Sequence, residues 1–341
     1  MQNRYIPILI ALMLTPPLLT QGQDPQFSQF YAAPMYLNPA FTGNTVQGRV
    51  TANYRKQWIK VPGAFTSYSF SYDQFLRKYK SGIGLMFIND KAGSGALKYS
   101  SIGGLYSYVF NLTRTVGIRA GVRASYISRD LDFFYLKFAD QIIRDDPFGT
   151  IETFDRIGKT YFDFATGAVL FSQSSWIGYS FDHLNRPNES FLGQDTRLPI
   201  KYTVQGGYKY VLTEDVKGNA LEDITAVVIY KGQQEWDQVD MGAYYRHKMM
   251  IVGIWYRGIP GLKTYKPGYS NSDAIVIMLG LRVQDYFHFG YSYDATISKL
   301  GIGTQGSHEI ALIYEFAQPE YKRNGKKQNF MVPCTKITFT Q

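Results

Sequence analysis

The sequence predicts an all-β protein, a transmembrane antiparallel β-barrel of about 14 strands with long extracellular loops and short periplasmic turns, on three observations. Between Gln47 and Gln318, apolar or aromatic residues alternate with small or polar ones in blocks of about ten. The blocks are joined by alternately short and long connections, the asymmetry of outer-membrane barrels. An apolar stretch near the N-terminus reads as an export signal. Successive side chains of a strand point to opposite faces, so Tyr68, Phe70 and Tyr72 can meet lipid while Ser67, Ser69, Ser71 and Asp73 meet water.

Residues 1–22 are read as a signal peptide: Arg4 supplies the charge, Ile6 to Leu19 the apolar run, and Thr20-Gln21-Gly22 a small-x-small cleavage pattern. A retained anchor is the competing reading, but Pro7, Pro16 and Pro17 interrupt the run, which falls short of the ~20 residues a spanning helix needs. No later stretch is long and apolar enough for such a helix. A closed barrel also satisfies every backbone group in lipid, and it does so with a modest mean hydropathy because half its residues face the lumen.

Residues 23–46 form an N-terminal periplasmic or plug segment. Pro25, Pro34 and Pro39 prevent a spanning strand, while Phe27, Phe30, Tyr31, Met35, Tyr36, Leu37 and Phe41 make the segment costly to expose, so it is expected to dock on or inside the barrel. The barrel itself occupies residues 47–318. Its strands are expected near 47–57, 65–73, 81–90, 98–110, 114–128, 161–172, 175–184, 200–212, 223–233, 238–247, 249–258, 273–284, 287–296 and 306–317. An even count returns the chain to its starting side, so both termini are expected in the periplasm. Residues 131–160, 185–199, 259–272 and 297–305 then become the outer loops.

A charge on the lipid face would cost ~2–4 kcal/mol at the midplane, so basic residues set the register. Arg119, Gly121, Arg123 and Ser125 should face the lumen, and Ile118, Ala120, Val122, Ala124 and Tyr126 the lipid. Lys201, Thr203, Gln205 and Lys209 point inward on the same rule. Ile224–Tyr230 and Ile275–Leu281 are apolar on both faces, which predicts that something inside packs against them. Fourteen strands leave room for that filling; the N-terminal segment and the 131–160 loop are the candidates.

With 28 Tyr and 23 Phe against 4 Trp, tyrosine dominates the residues suited to lipid–water girdles. A soluble β-sandwich would also use aromatics, but fourteen strands are too many for a typical single one. Residues 319–341 form a basic periplasmic tail: Lys322, Arg323, Lys326, Lys327 and Lys336 against Glu320 leave +4, half the charge of the chain without Arg4. Such a tail is either solvated or docked on an acidic partner. Cys334 is the single cysteine and has no internal disulfide partner.

The four histidines lack metal-ligand spacing, and the Gly-x-Gly occurrences at Gly82 and Gly301 do not open helices. No cofactor, metal, enzymatic activity or nucleic-acid partner is expected.

Asp24-Pro25-Gln26-Phe27-Ser28-Gln29-Phe30-Tyr31, continuing through Tyr36-Leu37-Asn38-Pro39-Ala40-Phe41-Thr42-Gly43, resembles the opening of the PorP/SprF proteins of the type IX secretion system. Asp182-His183-Leu184-Asn185-Arg186-Pro187-Asn188-Glu189-Ser190-Phe191, preceded by Tyr161-Phe162-Asp163-Phe164, is similar to a second stretch of that family. Pro333-Cys334-Thr335 departs from it in lacking a proline after the cysteine. The resemblance implies an outer-membrane barrel of the secretion and gliding machinery, in contact with outer-membrane lipid and periplasmic type IX components. It further implies the binding of a secreted adhesin or its C-terminal domain at the cell surface. Candidate contact residues for that role are Phe133, Phe134, Tyr135, Phe138, His183, Asn185, Pro187, Asn188 and Phe191 on the extracellular side, and Lys322, Arg323, Lys326 and Lys327 in the tail. Pro187 and Asn188 also suit a plain turn. The alternative function is a passive porin-like channel.

Overall fold

The structure is a computed structural model that describes residues 24–45, 47–93, 97–132, 139–144, 158–191, 194–214, 220–259, 264–266, 269–283, 286–298 and 301–316. The strands are β1 (Gly48–Gln57), β2 (Phe65–Leu76), β3 (Ser81–Ala92), β4 (Leu97–Asn111), β5 (Gly117–Leu131), β6 (Gly158–Phe171), β7 (Ser175–Asp182) and β8 (Lys201–Glu214). They continue as β9 (Ala220–Gln233), β10 (Trp236–His247), β11 (Met250–Gly258), β12 (Thr264–Lys266), β13 (Tyr269–Ser270), β14 (Ser272–Val283), β15 (Phe287–Thr296) and β16 (Ser307–Glu315). β12 and β13 pair only with each other, as a small hairpin in the loop after β11. The other fourteen strands form one closed antiparallel barrel, sealed by β1 against β16 from Arg49↔Glu315 to Gln57↔Ser307. Closure leaves no free sheet edge, the condition for a sheet to sit in lipid.

The expected strands are present, with boundaries moved for local reasons. β5 begins at Gly117 because Leu112 and Thr113 donate to the Val116 carbonyl, and the Thr113 hydroxyl accepts from Thr115 and Val116, closing a tight turn. β7 stops at Asp182 because His183 takes a φ of 60°, which turns the chain out of the sheet.

The two faces follow the alternation. Arg119, Gly121, Arg123 and Ser125 are buried in the lumen, while Val122 and Tyr126 are exposed on the outside. Outward aromatic pairs form two belts. Tyr54–Tyr68, Tyr126–Phe162 and Tyr202–Tyr230 lie toward the long-loop end, and Tyr72–Phe316, Tyr108–Phe110 and Phe287–Tyr314 toward the short-turn end. Between them the surface carries aliphatic side chains such as Leu85, Ile102, Val122, Val228, Ile277 and Leu279. An apolar band between aromatic girdles is the lipid-facing pattern of a spanning barrel.

The core lies inside the barrel. Val227 and Ile229 of β9 and Val276 and Met278 of β14, from the two doubly apolar strands, pack with Trp255, Val169 and Phe171 around Phe30, Tyr31, Ala40 and Phe41 of the N-terminal segment. That segment runs the length of the lumen. Asp24 sits at the long-loop end, beside the start of β8, whereas Gly43 bonds Asp73 at the short-turn end, from which β1 departs. Asp24 and Phe316, the outermost described residues, lie at opposite ends of the barrel, whereas the termini themselves, expected together in the periplasm, lie outside the described residues. Even strand parity returns β16 to the start of β1, but the segment before β1 climbs through the interior.

Candidate functional site

The feature that sets the chemistry of this barrel is its threaded lumen. The prolines that keep residues 24–45 out of the sheet give the segment its shape. Pro34 opens a helical turn over Pro34–Leu37, and Pro39 opens a 3₁₀ turn over Pro39–Phe41 whose N-cap is Asn38. The Asn38 amide oxygen accepts from the Ala40 N–H at 2.8 Å, and its Nδ2 donates to the Tyr179 carbonyl of β7 at 2.9 Å. One side chain thus caps the turn and ties it to the wall.

Three polar clamps hold the segment at three heights. At the long-loop mouth, Asp24 is bonded to Lys201 and lies 3.2 Å from His183 Nε2, while His183 Nδ1 lies 2.9 Å from Asp163 Oδ1. Below it, the carboxylate of Glu309 accepts the backbone N–H groups of Ser28 and Gln29 at 2.7 and 3.1 Å. The Ser28 hydroxyl donates to Asp294 at 2.6 Å and accepts from Arg55 and Arg257 at 2.7 and 2.8 Å. Arg257 also bonds Asp240 and Asp294 at 2.8 and 2.9 Å, Arg55 bonds Asp294 at 2.8 Å, and Lys231 bonds Asp240 at 3.0 Å. Three cations, Arg55, Arg257 and Lys231, thus face the carboxylates of Asp240, Asp294 and Glu309, with the more exposed Asp273 a further 3.9 Å from Arg257. Buried ions need both pairing and hydrogen bonds to be tolerated, and this cluster has both. At the short-turn end the Thr42 carbonyl accepts from Ser107 and Arg119, and Gly43 donates to Asp73, itself held by Arg49 through two bonds of 2.9 Å.

Aromatic contacts fill the space between the clamps. Phe30 packs on Trp255 with ring centroids 5.1 Å apart, and Tyr31 meets Tyr244 edge-on at 5.8 Å. The wall makes room for the backbone at glycines. A Cβ added at Gly121 would lie 2.5 Å from the Pro39 carbonyl and the Ala40 nitrogen, and one at Gly167 would overlap the Asn38 side chain. A barrel whose lumen was merely crossed by a loose leader would not need bare backbone at these two wall positions.

The upper clamp is titratable. Burial alone would lower the His183 pKa, but the carboxylates of Asp24 and Asp163 outweigh it and hold the ring up to about 9 from an ordinary 6.5. Burial would raise Asp24, yet Lys201 and His183 hold it well below its ordinary 3.8. The histidine contribution is complete below pH 6.5 and is lost as pH rises through about 9. The Asp24 contribution is present above pH 3.8 and is lost only as pH falls through its lowered value. The mouth clamp is therefore expected to hold at neutral pH and loosen as pH rises through about 9. Hydrogen exchange of the Gln26–Gln29 amides, compared with a His183→Gln variant, measures this; an alkaline rise as large in the variant would show that another group controls it.

The candidate contact residues of the 183–200 loop come together but turn inward or onto one another. His183 is 3% exposed and belongs to the lumen clamp. The Asn185 amide donates to the Phe162 carbonyl at 2.7 Å and accepts from the Phe164 N–H at 3.3 Å, completing the edge of β6. Pro187 accepts from Leu198, and the Asn188 carboxamide accepts from Ser190 and Thr196 and donates to Gln194, so both residues build the turn. Phe191 is half-buried, and Glu189 beside it pairs with Arg129 of β5. Phe133, Phe134, Tyr135, Phe138, Lys322, Arg323, Lys326 and Lys327 lie outside the described residues, as does the 1–22 leader. Sequence reasoning missed the Ser28 clamp. Its signal was present as Arg55, Asp240, Arg257, Asp294 and Glu309, charges at inward positions of five strands, but they meet only once β1 closes on β16.

Among the described residues, no group of three or more His, Cys, Asp or Glu side chains forms a metal cradle, and no helix is long and apolar enough to cross a membrane. A closed fourteen-strand antiparallel wall, a lipid-facing band between aromatic belts and a polar, internally plugged lumen define a β-barrel protein of the outer-membrane type. The chain belongs to the family of type IX secretion system membrane proteins PorP/SprF, whose sequence profile matches residues 19–314. No curated protein matches it in sequence. Solved structures of similar shape include the monoaromatic hydrocarbon channel CymD, at 9% identity and TM-score 0.49 over 84% of this chain and 93% of that one. The P. putida toluene transporter TodX follows at 9% and 0.47, over 83% and 93%. A Pseudomonas aeruginosa FadL homologue is 13% identical with TM-score 0.43, over 82% and 93%.

Proposed function

We propose that this barrel anchors a secreted adhesin, through its C-terminal domain, at the outer face of the outer membrane, and that it links to periplasmic type IX components through its basic tail. The observation that carries the reading is the lumen. A passive porin works by an open aqueous path, whereas here residues 24–45 fill the interior and are clamped at three heights. A barrel closed in this way offers its loops and rims, not its bore, and family membership makes a protein of the secretion apparatus the natural partner. The 131–160 loop and the 183–200 loop supply the outer surface in this reading, and the tail, with Lys322, Arg323, Lys326 and Lys327, the inner one.

The test is surface retention. Deleting the gene for this protein should release one large secreted polypeptide from the cell surface into the medium while its export continues, and the intact chain should restore attachment. An adhesin that stays cell-bound in the deletion strain would overturn the anchoring role. For the tail, removing Lys322–Gln341 should lower recovery of periplasmic type IX partners without disturbing barrel assembly; unchanged recovery would refute that link.

A further inference from the structure

A cavity of about 170 Å³ opens at the long-loop mouth between the N-terminal segment and the wall strands β7 to β10. Phe27, Phe30 and Tyr36 of the segment and Trp236 at the start of β10 line it, together with Lys201 and Lys231 and three carboxylates that already have partners, Asp24 with Lys201 and His183, Asp182 with Arg123, and Asp237 with the Tyr230 hydroxyl. Its size suits one ring: a dry apolar cavity of about 150 Å³ holds a benzene molecule. Its lining, however, is not purely apolar. Lys231 Nζ lies 4.7 Å from the centroid of the Phe30 ring and 3.0 Å from Asp240, and Lys201 Nζ lies 5.5 Å from the centroid of Tyr36 and bonds Asp24. An ammonium carries three donors; the bond to Asp240 uses one of Lys231, and the bond to Asp24 uses one of Lys201, whose Nζ also lies 3.7 Å from Asp182. Each of these half-sequestered cations therefore keeps donors for a further acceptor at the cavity wall.

We propose that this mouth cavity binds a ring-sized apolar group that bears a carboxylate. The ring lies among Phe27, Phe30, Tyr36 and Trp236, and the carboxylate takes the remaining donors of Lys231 and Lys201. Lys231 is the more available of the two, because Asp240 is shared with Arg257 whereas Lys201 secures Asp24. Two sources offer this chemistry: the C-terminal residue of a polypeptide, where an aromatic side chain adjoins a free carboxylate, and a small free aromatic acid. The inference rests on the cavity's own lining and does not depend on the anchoring role.

Calorimetric titration of the purified full-length protein in detergent with N-acetyl-phenylalanine and with its amide tests the site. The acid should bind saturably and the amide about tenfold more weakly or worse, the factor expected for losing a hydrogen bond to a charged group. Lys231→Met should cost the acid a similar factor, and Ala33→Phe, which fills the cavity from the segment side, should abolish binding. Heat-modifiable gel migration verifies that each variant remains a barrel. No saturable binding of the acid, equal binding of acid and amide, or undiminished binding to folded Lys231→Met would overturn the proposal. A short peptide ending in phenylalanine that binds at least as tightly as the acid supports the polypeptide source. Benzoate binding while that peptide is excluded supports the small acid.

Discussion

Replacing Gly121 with valine should convert a closed barrel into a conducting one. In a planar bilayer the intact protein is expected to show little current, and the Gly121→Val protein an order-of-magnitude rise. The side chain of residue 121 points into the lumen, where a Cβ would meet the Pro39–Ala40 backbone at 2.5 Å. No side-chain rotation relieves a clash with backbone, so the 3₁₀ turn must leave its seat and take with it the Asn38 contacts to β7. The wall itself should tolerate the change, since valine suits a strand better than glycine. Limited proteolysis should show new cleavage between Asp24 and Thr45 with the barrel uncut. Steady, large conductance of the unmodified protein would sink both this prediction and the plugged reading of the lumen, and would restore the porin alternative. Unchanged conductance and proteolysis in Gly121→Val would show that the segment does not depend on that seat.

The second large effect is expected from Arg257→Met. Arg257 joins Asp240, Asp294 and the Ser28 hydroxyl, and its side chain is 2% exposed. Methionine approximates its volume but leaves two buried carboxylates with one cation fewer. Removing one partner of a buried, hydrogen-bonded ion cluster typically costs about 3–5 kcal/mol. The barrel should unfold at lower temperature in detergent, and the upper half of the N-terminal segment should lose protection before the wall does. A double change, Arg257→Met with Asp240→Asn, should recover part of the loss, because it restores charge balance. A double variant no more stable than the single one would show that packing around the guanidinium, and not its charge, dominates.

Most of the wall was legible because lipid and water impose a period of two that a short segment of sequence displays on its own. Ser67 to Asp73 announces its register without reference to any other strand, and the position of Arg119 follows from the cost of a charge in lipid. The apolar inner faces of β9 and β14 even announced that the lumen is filled. The path of the filling was not legible. Pro34 and Pro39 reveal that residues 24–45 are no strand, but the contact of Ser28 with Glu309 spans 281 positions and depends on which strands become neighbours at closure. His183 shows the same limit. The sequence places it at the end of the strand expected near 175–184 and among the extracellular contact residues, and only its left-handed backbone and the approach of Asp24 turn it into an interior partner.

The seam between β1 and β16 has a consequence for how such a molecule is made. Because it joins the earliest stave of the wall to the latest, the cask cannot be hooped until nearly the entire polypeptide has arrived. The segment that occupies the hollow precedes every stave, so its lodging is complete only once the last of them exists. Its Ser28 acquires its acidic seat only when the final stave is laid, which makes enclosure of the segment and completion of the wall a single, late and slow event.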